Sequence, residues 1–101
     1  MQTKNPAVYM LANKKNGTLY VGVTADLPRR IQEHKKNLNA GFSHRYNCTL
    51  LVFYQFFVDM SSAIEAEKKI KKFSRAKKIA LIEYGNPKWA DLDVLNFCEN
   101  L

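Results

Sequence analysis

The sequence feature that most constrains this chain is a turn-rich stretch between two short β-prone runs. Val8-Tyr9-Met10-Leu11 precedes Asn13-Lys14-Lys15-Asn16-Gly17, and Leu19-Tyr20-Val21-Gly22 follows it. Such runs joined by Asn and Gly are typical of a β-hairpin. A turn centred between Lys14 and Lys15 places Tyr9 directly opposite Tyr20 on one face of a sheet. Taken singly, such a pair is more often cross-strand packing than a reactive site.

A helix is predicted directly after the hairpin. Asp26, in the run Thr24-Ala25-Asp26, offers an N-cap, and Pro28 suits the first turn. Apolar residues then recur at helical spacing as far as residues 39–41, where we expect the helix to end. Arg30 and His34 lie one turn apart on this helix and should point to the same side. Two phenols, a guanidinium and an imidazole at one spot would suit a site that handles phosphate.

The second half of the chain predicts one strand and two helices. Residues 50–57 are apolar enough to form a strand, which we expect to be the central one. Ser62 with Glu65 three residues later predicts a capping box that opens a helix running to about Phe73. Ser74 is expected to cap a third helix, ended near residues 85–87. The residues expected to anchor the following segment are Trp89, Leu92, Val94 and Leu95.

The predicted fold is α+β, with a small three-stranded, mostly antiparallel sheet flanked by helices in the order β-β-α-β-α-α. With 101 residues, 47% of them hydrophobic, we expect one domain over residues 1–101, with a core at about 7–89 and a tail from 90 to 101. No apolar run reaches the roughly 18 residues of a membrane span. Without a secretory leader and with only Cys48 and Cys98 as thiols, the expected location is the cytoplasm.

The charge distribution favours a polyanionic partner. Sixteen Lys and Arg against nine Asp and Glu give a net charge of +7. Residues 68–78 carry seven of the bases and no acid: Lys68, Lys69, Lys71, Lys72, Arg75, Lys77 and Lys78. A concentrated basic stripe of this kind is typical of nucleic-acid binding, although a solvated lysine-rich helix face remains the alternative. Lys71 and Lys72 are the candidates for substrate contact.

Glu67 is unusual because it falls within or beside the apolar stripe of its predicted helix. Helical spacing relates it to Ala63, Ile64 and Ile70. A carboxylate directed toward a core is costly unless a positive group meets it. The alternatives are a surface ion pair with Lys71 and a metal ion. Mg²⁺ commonly uses one or two protein carboxylates with substrate phosphates and water, so one Glu would suffice.

These residues together resemble the GIY-YIG endonuclease family. The likeness rests on Ala7-Val8-Tyr9, then Tyr20-Val21-Gly22, then Arg30, His34 and a helical Glu67. Within the family, the chain is most similar to the small stand-alone YhbQ-like (UPF0213) group, over about residues 7–89. Both triplets carry Val where the family name has Ile, and Ala7 replaces Gly. Asn86 is the candidate for a final family Asn, and Val23 stands where the family frequently has Lys.

The resemblance implies a metal-dependent endonuclease and a role for each matched residue. Tyr9, with a lowered pKa, would be the general base for the attacking water, and His34 would assist it. Tyr20 and Arg30 would hold the phosphate. Glu67 would hold Mg²⁺ or Mn²⁺, which would bind the scissile phosphate and stabilise the leaving 3′ oxygen. Gly22, without a Cβ, would let backbone or substrate approach closely.

A second polar and aromatic stretch precedes the third strand at residues 41–47. Arg45 could grip a phosphate, and Tyr46 is one of the aromatic residues there that could stack on an unpaired base. An ordinary loop with Tyr46 against the sheet is the equal alternative.

Two functional classes follow from the sequence. The first is an endonuclease acting on DNA, favoured over RNA and including single-stranded or structured DNA, in repair or mobile-element processing. The second is a binding protein with the same fold and little or no catalysis. Neither class requires a membrane or an obligate protein partner.

Overall fold

The computed structural model describes residues 5–36 and 47–92. Strands and helices follow one another in the predicted order, and the α+β class is confirmed. Their bounds are β1 Ala7–Ala12, β2 Leu19–Thr24, α1 Leu27–Lys35, β3 Leu50–Phe56, α2 Met60–Lys71 and α3 Arg75–Gly85. No helix in the described residues is long and apolar enough to cross a membrane. The helix end expected at residues 39–41 lies outside the described ranges.

The sheet has the strand order β2-β1-β3, and both of its pairings are antiparallel. The expectation that β3 is central was wrong, because β1 occupies that place. All six residues of β1 are buried, as a strand covered on both faces requires. β3 is instead an edge strand, and its pairing with β1 contains an irregularity between Met10 and Leu11.

The hairpin register differs from the predicted one by two residues. Tyr9 pairs with Gly22, and Tyr20 pairs with Leu11. The turn is centred one residue later because Gly17 N–H donates to the Lys14 carbonyl at 3.0 Å, with Asn16 at a φ of 59°. Asn tolerates this left-handed conformation better than most residues. A shift of two residues preserves the face of every side chain, so the two tyrosines still share a face.

The two faces of the sheet carry separate apolar clusters. Tyr9 and Leu11 point toward α1, where they pack with Leu27 and Ile31. The alternate residues of β1 point the other way, into a cluster with buried residues of α2 and α3 such as Ile70 and Ile82. Helix α1 therefore covers one face, and α2 and α3 cover the other.

Each helix begins at a side-chain cap. Asp26 accepts a hydrogen bond from the backbone of the first turn of α1, and Ser74 does the same for α3. The capping box predicted from Ser62 and Glu65 was wrong. Asp59 is the N-cap of α2, and it accepts from Ser62 N–H at 2.7 Å. Ser62 therefore lies in the first turn and is the capped residue.

The segment after α3 closes the outer edge of β3. Leu92 N–H donates to the Leu51 carbonyl at 2.8 Å, and Leu51 N–H donates to Asp91 Oδ1 at 2.9 Å. Trp89 is buried in the cluster beside α2 and α3, whereas Leu92 packs against the cluster beside α1. These two residues anchor the segment as predicted; the anchors expected at residues 94 and 95 lie outside the described residues.

Candidate functional site

Three of the predicted site residues form a compact cluster of rings on the α1 face of the sheet. The Tyr9 and Tyr20 ring centroids are 6.2 Å apart, and His34 lies 5.8 Å from Tyr9 and 5.4 Å from Tyr20. The Tyr9 hydroxyl and His34 Nε2 are in hydrogen-bond contact at 3.1 Å. Residues from β1, β2 and α1, distant in sequence, thus meet at one point.

Gly22 makes room for the Tyr9 ring. A Cβ at Gly22 would lie 2.6 Å from both Cζ and Oη of Tyr9 and 3.0 Å from Tyr20 Cε2. The two residues are partners in the β-ladder, so the phenol lies across the glycine. Backbone or substrate was expected to approach closely at Gly22, but in the structure the side chain of Tyr9 occupies that place.

Arg30 brings a positive charge to the cluster. Its charge acts on both Tyr9 and His34, and its side chain remains 40% exposed. Glu33 meets the Arg30 guanidinium at 3.5 Å and that of Arg29 at 3.4 Å. Together with residues at the start of α1, these side chains line a polar hollow of about 390 Å³.

Sequence reasoning missed Glu33. The signal was its spacing of three and four residues from two arginines, which predicts ion pairs along a helix. Glu33 shares its carboxylate between the two guanidinium groups and so partly neutralises the charge of Arg30.

The protonation states of Tyr9 and His34 follow from burial. Tyr9 is only 1% exposed, and this burial, with Tyr20 close by, raises the pKa of its phenol well above the ordinary value. The lowered pKa expected for Tyr9 was therefore wrong for the free protein. Burial and then the Arg30 charge lower the pKa of His34, against an opposing effect of Glu33. At neutral pH the pair is a protonated phenol beside a neutral imidazole.

Glu67 stands against the opposite face of the sheet, on α2. Its carboxylate is 13% exposed, and Oε2 pairs with Lys71 Nζ at 2.9 Å. The ion pair considered from the sequence is therefore present. Glu67 thus lies across the sheet from the ring cluster, while its partner Lys71 lines a hollow at the outer edge of β2 together with Tyr20.

The described residues contain no group of three or more His, Cys, Asp or Glu side chains arranged to hold a metal ion. Glu67 would thus be a lone protein carboxylate for a cation. Such a donor fits Mg²⁺ when water and substrate phosphate complete the coordination shell.

The remaining predicted contacts have different placements. Lys72 is exposed at the C-cap of α2. The Asn86 amide is buried: Nδ2 donates to the Val52 and Ala90 carbonyls at 3.1 and 2.9 Å, and Oδ1 accepts from Ala90 N–H at 3.0 Å. These contacts tie the end of α3 to β3. Two further predicted contacts lie outside the described residues: Arg45 and Tyr46.

Comparison with known proteins identifies the family. The family described as the GIY-YIG catalytic domain matches residues 5–80. The chain belongs to the GIY-YIG family. Membership points to a nuclease, and hence to a hydrolase that binds nucleic acid. The resemblance to the GIY-YIG family that the sequence indicated is confirmed.

The relatives of known sequence or structure that match the chain include several UPF0213 proteins. A UPF0213 protein of Staphylococcus saprophyticus is 37% identical over 71 residues, covering 70% of this chain and 87% of the relative. One from Haloquadratum walsbyi is 35% identical over 68 residues, covering 67% and 76%. The solution NMR structure of a UPF0213 protein from Bacillus halodurans has a TM-score of 0.50 and 32% identity, covering 79% of this chain and 84% of that one. These names state no activity.

Proposed function

We propose that this protein is a divalent-metal-dependent endonuclease that hydrolyses phosphodiester bonds in DNA. The observation that supports this most is the convergence of Tyr9, Tyr20 and His34 with the Arg30 charge beside them. Each group has a task in phosphoryl transfer, which requires an activated water and stabilisation of charge on the phosphoryl oxygens. The family match supports this reaction class, because it points to a nuclease.

Arg30 and Tyr20 would bind the scissile phosphate. The guanidinium can donate two parallel hydrogen bonds to phosphoryl oxygens, which fixes orientation as well as charge. In the free protein Glu33 neutralises Arg30 from 3.5 Å. The phosphodiester carries one negative charge, as the carboxylate does, and its oxygens gain charge as water attacks, so the guanidinium would move from Glu33 to the phosphate as the reaction proceeds.

Tyr9 and His34 would move the proton of the attacking water. The tautomer of His34 with its proton on Nδ1 leaves Nε2 free to accept from the Tyr9 hydroxyl, 3.1 Å away. As water attacks phosphorus and the bond to the 3′ oxygen breaks, Tyr9 would take the water proton and pass its own to His34. The leaving oxygen would take a proton from solvent. Arg30 acts on both partners, because its charge stabilises a phenolate at Tyr9 and opposes a proton on His34.

Glu67 would hold Mg²⁺ or Mn²⁺ together with the substrate phosphate. When bound, the cation supplies neutralisation of negative charge on the phosphoryl group. Lys71 now occupies the Glu67 carboxylate, so binding of a cation would free the ammonium group for another anion. Lys71 is 55% exposed, so water can solvate its ammonium group when the pair opens, whereas the largely buried Glu67 carboxylate would need the cation in its place.

The second candidate is a nucleic-acid-binding protein with little or no catalysis. Two observations favour it: Tyr9 is buried and protonated, and the Glu67 carboxylate is already paired. This candidate retains the basic surface and the fold but predicts no divalent-dependent fragments.

The test is cleavage of end-labelled single-stranded, duplex and branched DNA, with RNA alongside, in Mg²⁺, Mn²⁺ or EDTA. Tyr9→Phe should slow cleavage by about 100-fold or more, in the range of acid–base catalysis. Glu67→Gln should remove the divalent-dependent activity but retain binding. Glu65→Gln is the matched control, because this exposed carboxylate lies on the same helix. Equal activity of the Glu67 and Glu65 variants would exclude Glu67 as the metal ligand. If the parent protein produces no fragments, the second candidate, a nucleic-acid-binding protein without catalysis, is favoured.

A further inference from the structure

We propose that the outer edge of β2 is a trough for one strand of nucleic acid, with Lys78 and Lys71 holding its phosphates. The proposal rests on the proposed function, because it extends the path of the substrate beyond the scissile phosphate. It adds Lys78 and the strand edge to the substrate contacts, neither of which belongs to the motif of tyrosines, arginine, histidine and glutamate.

The trough consists of two adjoining hollows. The first, of about 300 Å³, is lined by Leu19, Tyr20, Val21, Lys71 and Lys78. The second, of about 280 Å³, is lined by Thr18, Leu19, Arg75 and Lys78. Leu19 and Lys78 belong to both, so the hollows form one channel. Its floor is the edge of β2, and its wall is formed by α2 and α3.

The channel starts at the candidate site. Tyr20 lines its first half, and the same ring lies 5.4 Å from His34. From Val21 to Thr18 the strand advances about 10 Å at roughly 3.4 Å per residue. One DNA strand carries a charge about every 3.4 Å of helix axis. Neighbouring phosphates are further apart along the strand itself than along the axis, so the channel is long enough for about two phosphates on one side of the cut.

The charge of the lining suits this occupant. Its basic side chains are Lys71, Arg75 and Lys78, and the described lining contains no acidic residue. Glu67 lies close by, paired with Lys71 at 2.9 Å. If Glu67 takes a cation, as proposed, Lys71 is released to the strand. The apolar floor of Leu19 and Val21 can contact sugars and base faces without sequence preference.

Arg75 builds the wall of the trough. Its Nη2 donates to the Asn16 and Gly17 carbonyls at 2.6 and 2.7 Å, which fixes the hairpin turn against α3. Changing Arg75 would therefore disturb the fold as well as the charge. Lys78 is the better probe, since it lines both hollows.

The basic edge of β2 could also serve a role without nucleic acid. Lysines beside an edge strand can serve only to prevent pairing with another sheet. An acidic peptide could add to the edge as a further strand, through its backbone. The seven bases between residues 68 and 78, without an acid among them, favour a polymer with a charge at every unit.

The experiment measures binding of a fluorescent 20-nucleotide single-stranded DNA by anisotropy from 50 to 200 mM salt, with EDTA present so that nothing is cleaved. The variants are Lys78→Gln and two matched controls, Lys69→Gln and Lys88→Gln, which remove the same charge from exposed residues outside the trough. Losing one phosphate contact lowers the slope of log affinity against log salt by about 0.7, and hence the affinity at 0.1 M salt by about fivefold. We expect this for Lys78→Gln and little change for the controls.

Each outcome separates the trough from the proposed function. Equal losses in all three variants would show a diffuse charge effect and overturn the trough, as would no loss in Lys78→Gln or no binding by the parent. A 20-residue polyglutamate bound as tightly, with the same dependence on Lys78, would identify the edge as a peptide site. A selective Lys78 effect without divalent-dependent fragments would retain the trough and refute the nuclease. Divalent-dependent cleavage without a selective effect of Lys78→Gln would support the nuclease and refute the trough.

Discussion

Replacing Gly22 by Ala should damage both the fold and the ring cluster. The new Cβ would stand 2.6 Å from Cζ and Oη of Tyr9, where ordinary contacts begin at 3.4 Å. The Tyr9 ring must therefore withdraw by about 0.8 Å, the difference between these distances. That movement strains the 3.1 Å contact between the phenol and His34, because hydrogen bonds weaken rapidly beyond about 3.2 Å.

The size of the effect follows from three contributions. Overpacking a tight site costs about 1–3 kcal/mol, and loss of the hydrogen bond adds about 1 kcal/mol. Replacing Gly by Ala returns about 0.4–1 kcal/mol through the unfolded chain. The net loss should be about 2 kcal/mol. For a domain of this size it corresponds to a fall in Tm of about 8–16 °C.

Urea unfolding of Gly22→Ala, alone and combined with Tyr9→Leu, tests this reasoning. Removing the phenol should relieve the clash with Tyr9 and leave only the 3.0 Å approach to Tyr20 Cε2, so Ala at residue 22 should cost clearly less in the Tyr9→Leu background. Gly85→Ala is the matched control, because a Cβ there meets nothing within 4 Å and should stabilise the end of α3. If Gly22→Ala is as stable as the parent, or if its loss persists in the Tyr9→Leu background, the packing of Tyr9 on Gly22 is refuted.

Two further predictions concern His34 and Asn86. Burial and Arg30 lower the pKa of His34 from its ordinary 6.5, so the unfolded chain takes up this proton first as the pH falls. The free energy of unfolding should therefore decrease as the pH falls from about 6.5 through the pKa of His34 in the folded protein. Urea unfolding at a series of pH values measures this decrease. If the His34→Gln variant shows the same decrease, His34 is not its cause. Asn86→Ala removes one buried and two partly buried hydrogen bonds and should cost about 2–4 kcal/mol. The DNA affinity of the folded fraction, measured by anisotropy, should not change. If Asn86→Ala instead weakens DNA binding without changing the free energy of unfolding, Asn86 is a substrate contact.

The sequence predicted the ring cluster because face and helical spacing are local properties. Tyr9 and Tyr20 remain on one face whether the turn centre falls before or after Lys15, since the register moves in steps of two. The true centre depends on the left-handed conformation of Asn16, which the Asn and Gly residues allow at more than one place. The side of α1 that carries Arg30 and His34 was fixed by their spacing.

The features that the sequence did not predict depend on how distant parts of the chain pack together. The apolar run of β3 suggested a central strand, but the chain after α3 covers its outer edge instead. The spacing of Glu67 showed that it faces inward along α2, yet spacing does not tell which face of the sheet a helix covers. The raised pKa of Tyr9 likewise arises from burial by residues distant in sequence.

Asp91 makes structural contacts beyond the residues that the family match covers. The family match stops at residue 80, inside α3, whereas the Asp91 carboxylate joins Lys35 at the last turn of α1 to Leu51 of β3. The helix that presents Arg30 and His34 thus depends on chain beyond the shared region. A fragment truncated where the homology ends would lose this brace along with Trp89. We therefore expect the chain to need residues beyond the family match in order to fold.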